Sequence, residues 1–231
     1  MQKFNRLLCS VSTAVAITWA VSANASVEVL NFAGLDGNSE ETILNYYDGG
    51  FGGLGSGPGP NYGITFASNA LSCSGQPGGA CNTAEIPGGA GAQAAFFLSG
   101  TADTMDVLNG FTTGFSFFYT SPFYVGTVNV WSGLDDTGTL LASLTLPTTP
   151  ANGDTGCYSE SYCPYEPLGV SFLGTAYSVD FAGVANQVGF ADITLGSATA
   201  GGGTVPEPAS LALLGIGLAG FGLSRRRKQN A

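Results

Sequence analysis

Between Val27 and Leu195 the chain is a succession of short runs rich in Phe, Tyr, Val, Ile and Thr, punctuated by Gly, Pro, Asn and Asp. About nine of these runs predict strands, at 27–32, 62–67, 94–99, 111–119, 125–131, 140–146, 170–173, 177–181 and 187–195. No interval between them carries an apolar period of 3.6 residues over a helical length, so parallel strands joined by crossover helices are not expected. The expectation is an all-β fold, an antiparallel β-sandwich.

The connections are of several kinds. Gly133-Leu134-Asp135-Asp136-Thr137-Gly138 lies between two alternating runs and predicts a hairpin turn. Ser39, followed by Glu40, Glu41 and Thr42, is placed to cap one helical turn. Residues 48–63, DGGFGGLGSGPGPNYG, predict a long flexible or ligand-facing loop. A phosphate cradle is excluded there, because no Lys-Ser/Thr follows and Pro58 and Pro60 forbid the helix that would receive the anion. Residues 147–167 predict a second long loop, and residues 196–204 a polar glycine-rich tether with a coil reach of about 16 Å.

Charge removes whole classes of function. All six Lys and Arg residues lie at Lys3, Arg6, Arg225, Arg226, Arg227 and Lys228, and the chain has no His. Fifteen of the sixteen acids lie in the stretch between, which therefore has no side-chain cation to pair with them. Nucleic-acid binding needs Lys and Arg on phosphates. A Ser or Cys nucleophile needs a His or Lys base, and phosphoryl transfer needs cationic clamps. Oxygen ligands for Ca2+ are the metal chemistry left open.

The mature stretch keeps Cys73, Cys81, Cys157 and Cys163, an even number that in an exported chain predicts two disulfides. Proximity favours Cys73 with Cys81 and Cys157 with Cys163 among the three pairings. Tyr46, Tyr47, Phe51 and Tyr62 flank the glycine-rich loop, and Tyr158, Tyr162 and Tyr165 flank the second cysteine pair. Such rings beside carboxylates suit stacking on sugars, and Tyr46, Tyr47 and Tyr62 are the candidate ligand-binding residues. Filling the core is the other role open to them. Carboxylate pairs able to cleave a glycoside would be Asp135 with Asp136, Glu40 with Glu41, or Asp103 with Asp106, but neighbours along a strand point to opposite faces. No catalytic residue is assigned, and the chain is expected not to be an enzyme.

The two ends carry addresses. Residues 1–25 combine Lys3 and Arg6, an apolar stretch from Leu7 to Val21 and the small-residue site Ala23-Asn24-Ala25, predicting a signal peptide that signal peptidase removes before Ser26. At the other end Pro206-Glu207-Pro208 is followed by an apolar segment at 209–223 and by the basic cluster Arg225, Arg226, Arg227 and Lys228, which stays on the cytoplasmic side. Fifteen apolar residues containing four glycines make a marginal transmembrane helix, since a comfortable span takes about 20. This tripartite tail, 205–228 with its motif at 205–208, closely resembles the sorting signal of PEP-CTERM proteins. The resemblance implies export in a Gram-negative bacterium, recognition by an exosortase, and delivery to the cell surface or an extracellular polysaccharide matrix.

The stretch 26–195 resembles, more weakly, the jelly-roll carbohydrate-binding-module domains found in many PEP-CTERM proteins. Asn31-Phe32 to Leu35, Asn45-Tyr46-Tyr47 to Gly50, Tyr62 to Phe66, Gly110-Phe111 to Phe117 and Val188 to Ile193 carry that likeness. It implies a structural or adhesive role, with glycan binding as the alternative and a glycosidase as a distant one. Similar domains place an acid near the end of the last strand on a structural Ca2+. Here Ala191 replaces the first acid of that pattern and Asp192 keeps the second, so Asp192 is carried over as a metal ligand. Asp36 and Glu40, from the first loop, are added as candidate ligands.

Overall fold

The computed structural model describes residues 27–75, 78–83, 86–150 and 162–202. Both predicted membrane-directed segments, with Pro206, Glu207, Pro208, the basic cluster at 225–228 and Cys157, lie outside the described residues, none of whose helices is long and apolar enough to cross a membrane. Twelve strands follow in order: β1 (Glu28–Leu30), β2 (Glu41–Thr42), β3 (Ile64–Phe66), β4 (Ala70–Cys73), β5 (Ala94–Phe97) and β6 (Ala102–Phe111). Then come β7 (Gly114–Thr120), β8 (Gly126–Trp131), β9 (Leu140–Leu146), β10 (Glu166–Ser171), β11 (Ala176–Ala182) and β12 (Gly189–Leu195).

They form an antiparallel sandwich, as the pattern required. One sheet runs β10-β7-β12-β5-β4-β2 with β1 also paired to β12; the other runs β3-β6-β11-β8-β9. Alternation explains the core. Phe115, Phe117 and Tyr119 of β7 point inward, as do Val179 and Phe181 of β11 and Val128 and Val130 of β8. Phe181 and Phe190 meet at 4.8 Å between ring centroids and Phe117 and Phe190 at 5.5 Å, edge to face. Each such ring contributes about 1.5–3 kcal/mol by leaving water, and each edge-to-face pair about 0.5–1.5 kcal/mol more.

The longest strand, β6, is missing from the sequence expectation. Its inward residues Asp103, Met105 and Val107 include an acid, which hides the period of two. The helical turn expected after Ser39 is instead β2, whose Glu41 and Thr42 pair with Ser72 and Leu71. The run expected at 170–173 starts earlier, because Glu166 to Ser171 pair with β7, and Leu173 is left almost fully exposed on a turn. All seven residues of β12 are buried, since both of its faces are covered. A bulge between Ala191 and Thr194 lets the strand turn Asp192 away from the core, with φ at +51°.

Candidate functional site

The first disulfide builds a cavity. Cys73 ends β4 opposite Ala94 of β5, and its bond to Cys81 pulls the following loop back over the outer face of the seven-stranded sheet. That places Asn82 and Thr83 against the segment before β10: Thr83 Oγ1 donates to the Tyr162 carbonyl at 2.6 Å and lies 3.2 Å from the Tyr165 hydroxyl. Tyr162 donates its own hydroxyl to the Asn186 carbonyl. Burial pushes the Tyr165 phenol well above its ordinary value, so it stays neutral. Together these groups enclose about 310 Å³ above a floor of Ala94, Phe96 and Val188, with Glu40, Asn82 and Asn186 at the rim. That is the low end of the small-ligand range, roughly 300–1,000 Å³. An aromatic and aliphatic floor under amides and a carboxylate can hold a neutral, hydroxyl-rich molecule. Cys163, beside Tyr162, is also disulfide-bonded.

The tyrosines predicted for ligand stacking are elsewhere. Tyr46 and Tyr47 are buried in the core, which corrects their assignment as presented rings. Tyr47 accepts the Phe32 N–H at 2.7 Å, and Tyr46 donates to the Ala33 carbonyl at 3.2 Å. Tyr62 stacks on Tyr47 and is half-buried at a second cleft of about 300 Å³, with Asn61 and Asn109. The glycine-rich loop is not loose either. It is pinned by Glu41, fully buried, whose carboxylate accepts the backbone N–H of Asp36 at 2.6 Å, Leu54 at 2.9 Å and Ser56 at 3.2 Å. Gly52 is required there, because a Cβ would stand 2.4 Å from Glu41 Oε1.

The candidate metal ligands do not converge. Asp36 accepts the Asn38 N–H in its own turn, Glu40 borders the cavity, and Asp192 lies between Gly88 and Gly201. No three His, Cys, Asp or Glu side chains among the described residues are placed to share an ion, whereas Ca2+ takes six to eight oxygens. Asp192, Asp36 and Glu40 therefore do not meet at one point among the described residues.

The acids instead gather around the five-stranded sheet. On its outer face Asp136 accepts the Thr104 hydroxyl at 2.6 Å, Asp106 accepts the Asp135 N–H at 2.8 Å, and Asp180 accepts from Asn129 at 3.2 Å. Asp103, on the core face of β6, is buried with Oδ1 unpartnered, and one oxygen each of Asp136 and Asp180 is likewise buried without a hydrogen bond. The domain has no cationic side chain to offset their burial. Burial first, then the neighbouring Asp136 and Asp180, push the Asp103 carboxyl well above its ordinary range. Burial likewise raises Asp106, Asp136 and Asp180.

The sequence signals for the cavity were Cys73 and Cys81, which bracket the loop leading to Asn82 and Thr83, together with Tyr162 and Tyr165 beside the second cysteine pair. Nothing local marked Phe96 or Asn186 as its floor and rim.

Fold and tail together define an exported β-sandwich protein with a surface-sorting signal. Residues 204–228 match the PEP-CTERM protein-sorting motif, the signal of exosortase-processed surface proteins of Gram-negative bacteria. No curated protein matches the sequence. Among solved structures, a cleaved adhesin domain of Lys-gingipain is similar at 14% identity and a TM-score of 0.36, over 58% of this chain and 88% of that one. A family 29 carbohydrate-binding module from Piromyces equi follows at 11% identity and 0.30, over 57% and 89%. A family 11 carbohydrate-binding module of a Clostridium thermocellum cellulosomal cellulase stands at 9% and 0.28, over 74% and 95%.

Proposed function

We propose that this is a surface or matrix protein with a structural or adhesive role, whose folded domain holds a neutral glycan of the extracellular polysaccharide in the cavity beneath the Cys73–Cys81 loop. The observation that carries the reading is the cavity itself, an apolar floor with amides and a carboxylate at its mouth. A non-catalytic role is supported by what the acids already do. Asp103 and Asp106 lie on opposite faces of β6, Glu41 is committed to three backbone N–H groups, and Asp135 and Asp136 form a hairpin turn at φ of +51° and +56°.

The test is retention on a column of the producing organism's matrix polysaccharide. Wild-type protein is expected to be retarded and the cavity-mouth variants Asn82→Ala and Glu40→Gln to elute earlier, with unchanged melting. Equal elution of all three would sink the cavity as a glycan site. Sorting is tested separately by replacing Pro206, Glu207 and Pro208 with alanine, which should abolish processing by the exosortase; unchanged size and location would reject that role.

A further inference from the structure

Residues 196–202, which composition marks as a free tether, are folded onto the outer face of the seven-stranded sheet. Gly196 donates to the Gly114 carbonyl at 2.9 Å, Thr113 donates its hydroxyl to the Gly196 carbonyl at 2.6 Å, and Ser116 donates to the Ser197 carbonyl at 2.9 Å. Farther on, Gly201 donates to Thr194 Oγ1 at 3.1 Å. The strands beneath carry glycine where this strap crosses them. A Cβ at Gly169 of β10 would stand 2.2 Å from the Ala198 carbonyl oxygen, and one at Gly114 of β7 would stand 2.6 Å from the Ala198 nitrogen. The strap thus crosses β10, β7 and β12 and ends at Gly202, beside Val27 and Val29 of the β1 edge.

The exit point has a consequence for the whole protein. Were residues 196–204 free, about thirteen residue steps would separate Gly196 from Ala209, up to roughly 45 Å of chain. With the strap seated, only seven steps separate Gly202 from Ala209, at most about 25 Å. The domain is then held close to the membrane that the tail enters, leading with the face from which the chain leaves.

Charge selects the same face. From Ile193 to Pro206 the chain carries no charge, and the carboxylate against the strap, Asp192 beside Gly201, is buried. The outer face of the opposite sheet carries Asp106, Asp135, Asp136 and Asp180, which an anionic lipid surface repels. We infer that the strap-bearing face of the seven-stranded sheet, at its β1–β12 edge, is the membrane-facing surface of the unprocessed protein, opposed to lipid headgroups, with the acidic five-stranded sheet pointing outward. This rests on the reading of 209–223 as a membrane segment.

The experiment uses the full chain, expressed without an exosortase and reconstituted in vesicles of phosphatidylethanolamine and phosphatidylglycerol. Nitroxide labels are placed singly at the exposed positions Thr199→Cys, on the strap, and Ser143→Cys, on the outer face of the five-stranded sheet. Collision with nickel-chelating lipid headgroups is the readout. The Thr199 label is expected to collide several-fold more often than the Ser143 label. A long Gly/Ser insertion between Gly202 and Gly203, which leaves the strap seated and lengthens the leash, should erase that difference. Equal collision rates without the insertion, on protein that floats with its vesicles, overturn the orientation. Protein that fails to float overturns the membrane reading of the tail, and this proposal with it.

Discussion

Glu41 and Asp103 are both buried acids in a domain without cations, and they are handled in opposite ways. At Glu41 burial works to raise the pKa, but hydrogen bonds from Asp36, Leu54 and Ser56 override it and hold the carboxyl below its usual value. Its stabilising effect is present above the unfolded-state pKa and is lost as pH falls through the folded one. Glu41→Gln keeps the shape and loses the charge-assisted bonds, so it should cost about 1.5–3 kcal/mol, read as a lower urea midpoint. At Asp103 the Thr104 backbone hydrogen bond does not offset burial, one oxygen has no partner, and the pKa goes up. A raised folded pKa means stability fully present below the unfolded value of about 4 and lost as pH rises through the folded one. The melting temperature should therefore rise as pH is lowered from 7 towards 5, and Asp103→Asn should raise it at pH 7 and flatten the slope. An unchanged profile in Asp103→Asn would mean that this carboxyl is not protonated in the fold.

Among the elements, the loop from β4 to Thr83 depends most on one covalent bond. Replacing Cys73 and Cys81 together by Ser removes a short closed loop, which chain-entropy reasoning values at roughly 2–3 kcal/mol. Because the same bond seats Asn82 and Thr83 over β5, the double variant should also lose polysaccharide retention, whereas Glu41→Gln, tied to a different loop, should keep it. The strap offers a second element-scale measurement. Gly169→Ala forces its Cβ onto the Ala198 carbonyl, an overpacking cost of about 1–3 kcal/mol, and should speed amide exchange at Gly201, whose N–H is held by Thr194.

At the scale of the molecule, acidity is spread over hydrogen-bonded turns and a cluster of carboxyls around the five-stranded sheet. Ca2+ is expected to move the melting temperature no further than Na+ at equal ionic strength, and a Ca2+-specific rise would mean that a site exists which the three candidate ligands do not explain. Fold class was legible because alternation and turn residues are local, as in the Gly133–Gly138 hairpin, and because the absence of a helical period is visible along the chain. The sorting tail and the Cys73–Cys81 pairing were legible for the same reason: a linear motif and a short loop need no partner from afar. The inward turn of Tyr46 and Tyr47, the burial of Glu41, the seating of residues 196–202 and the cavity were not. Each depends on contacts between distant positions, such as Thr83 with Tyr162, 79 residues apart. The sequence by itself determined that strands would form and that the tail carries a sorting motif. Which polar side chains end inside, and on which face the domain opens, only the packing of the two sheets decided, because burial is a property of the assembled neighbours and not of the residue.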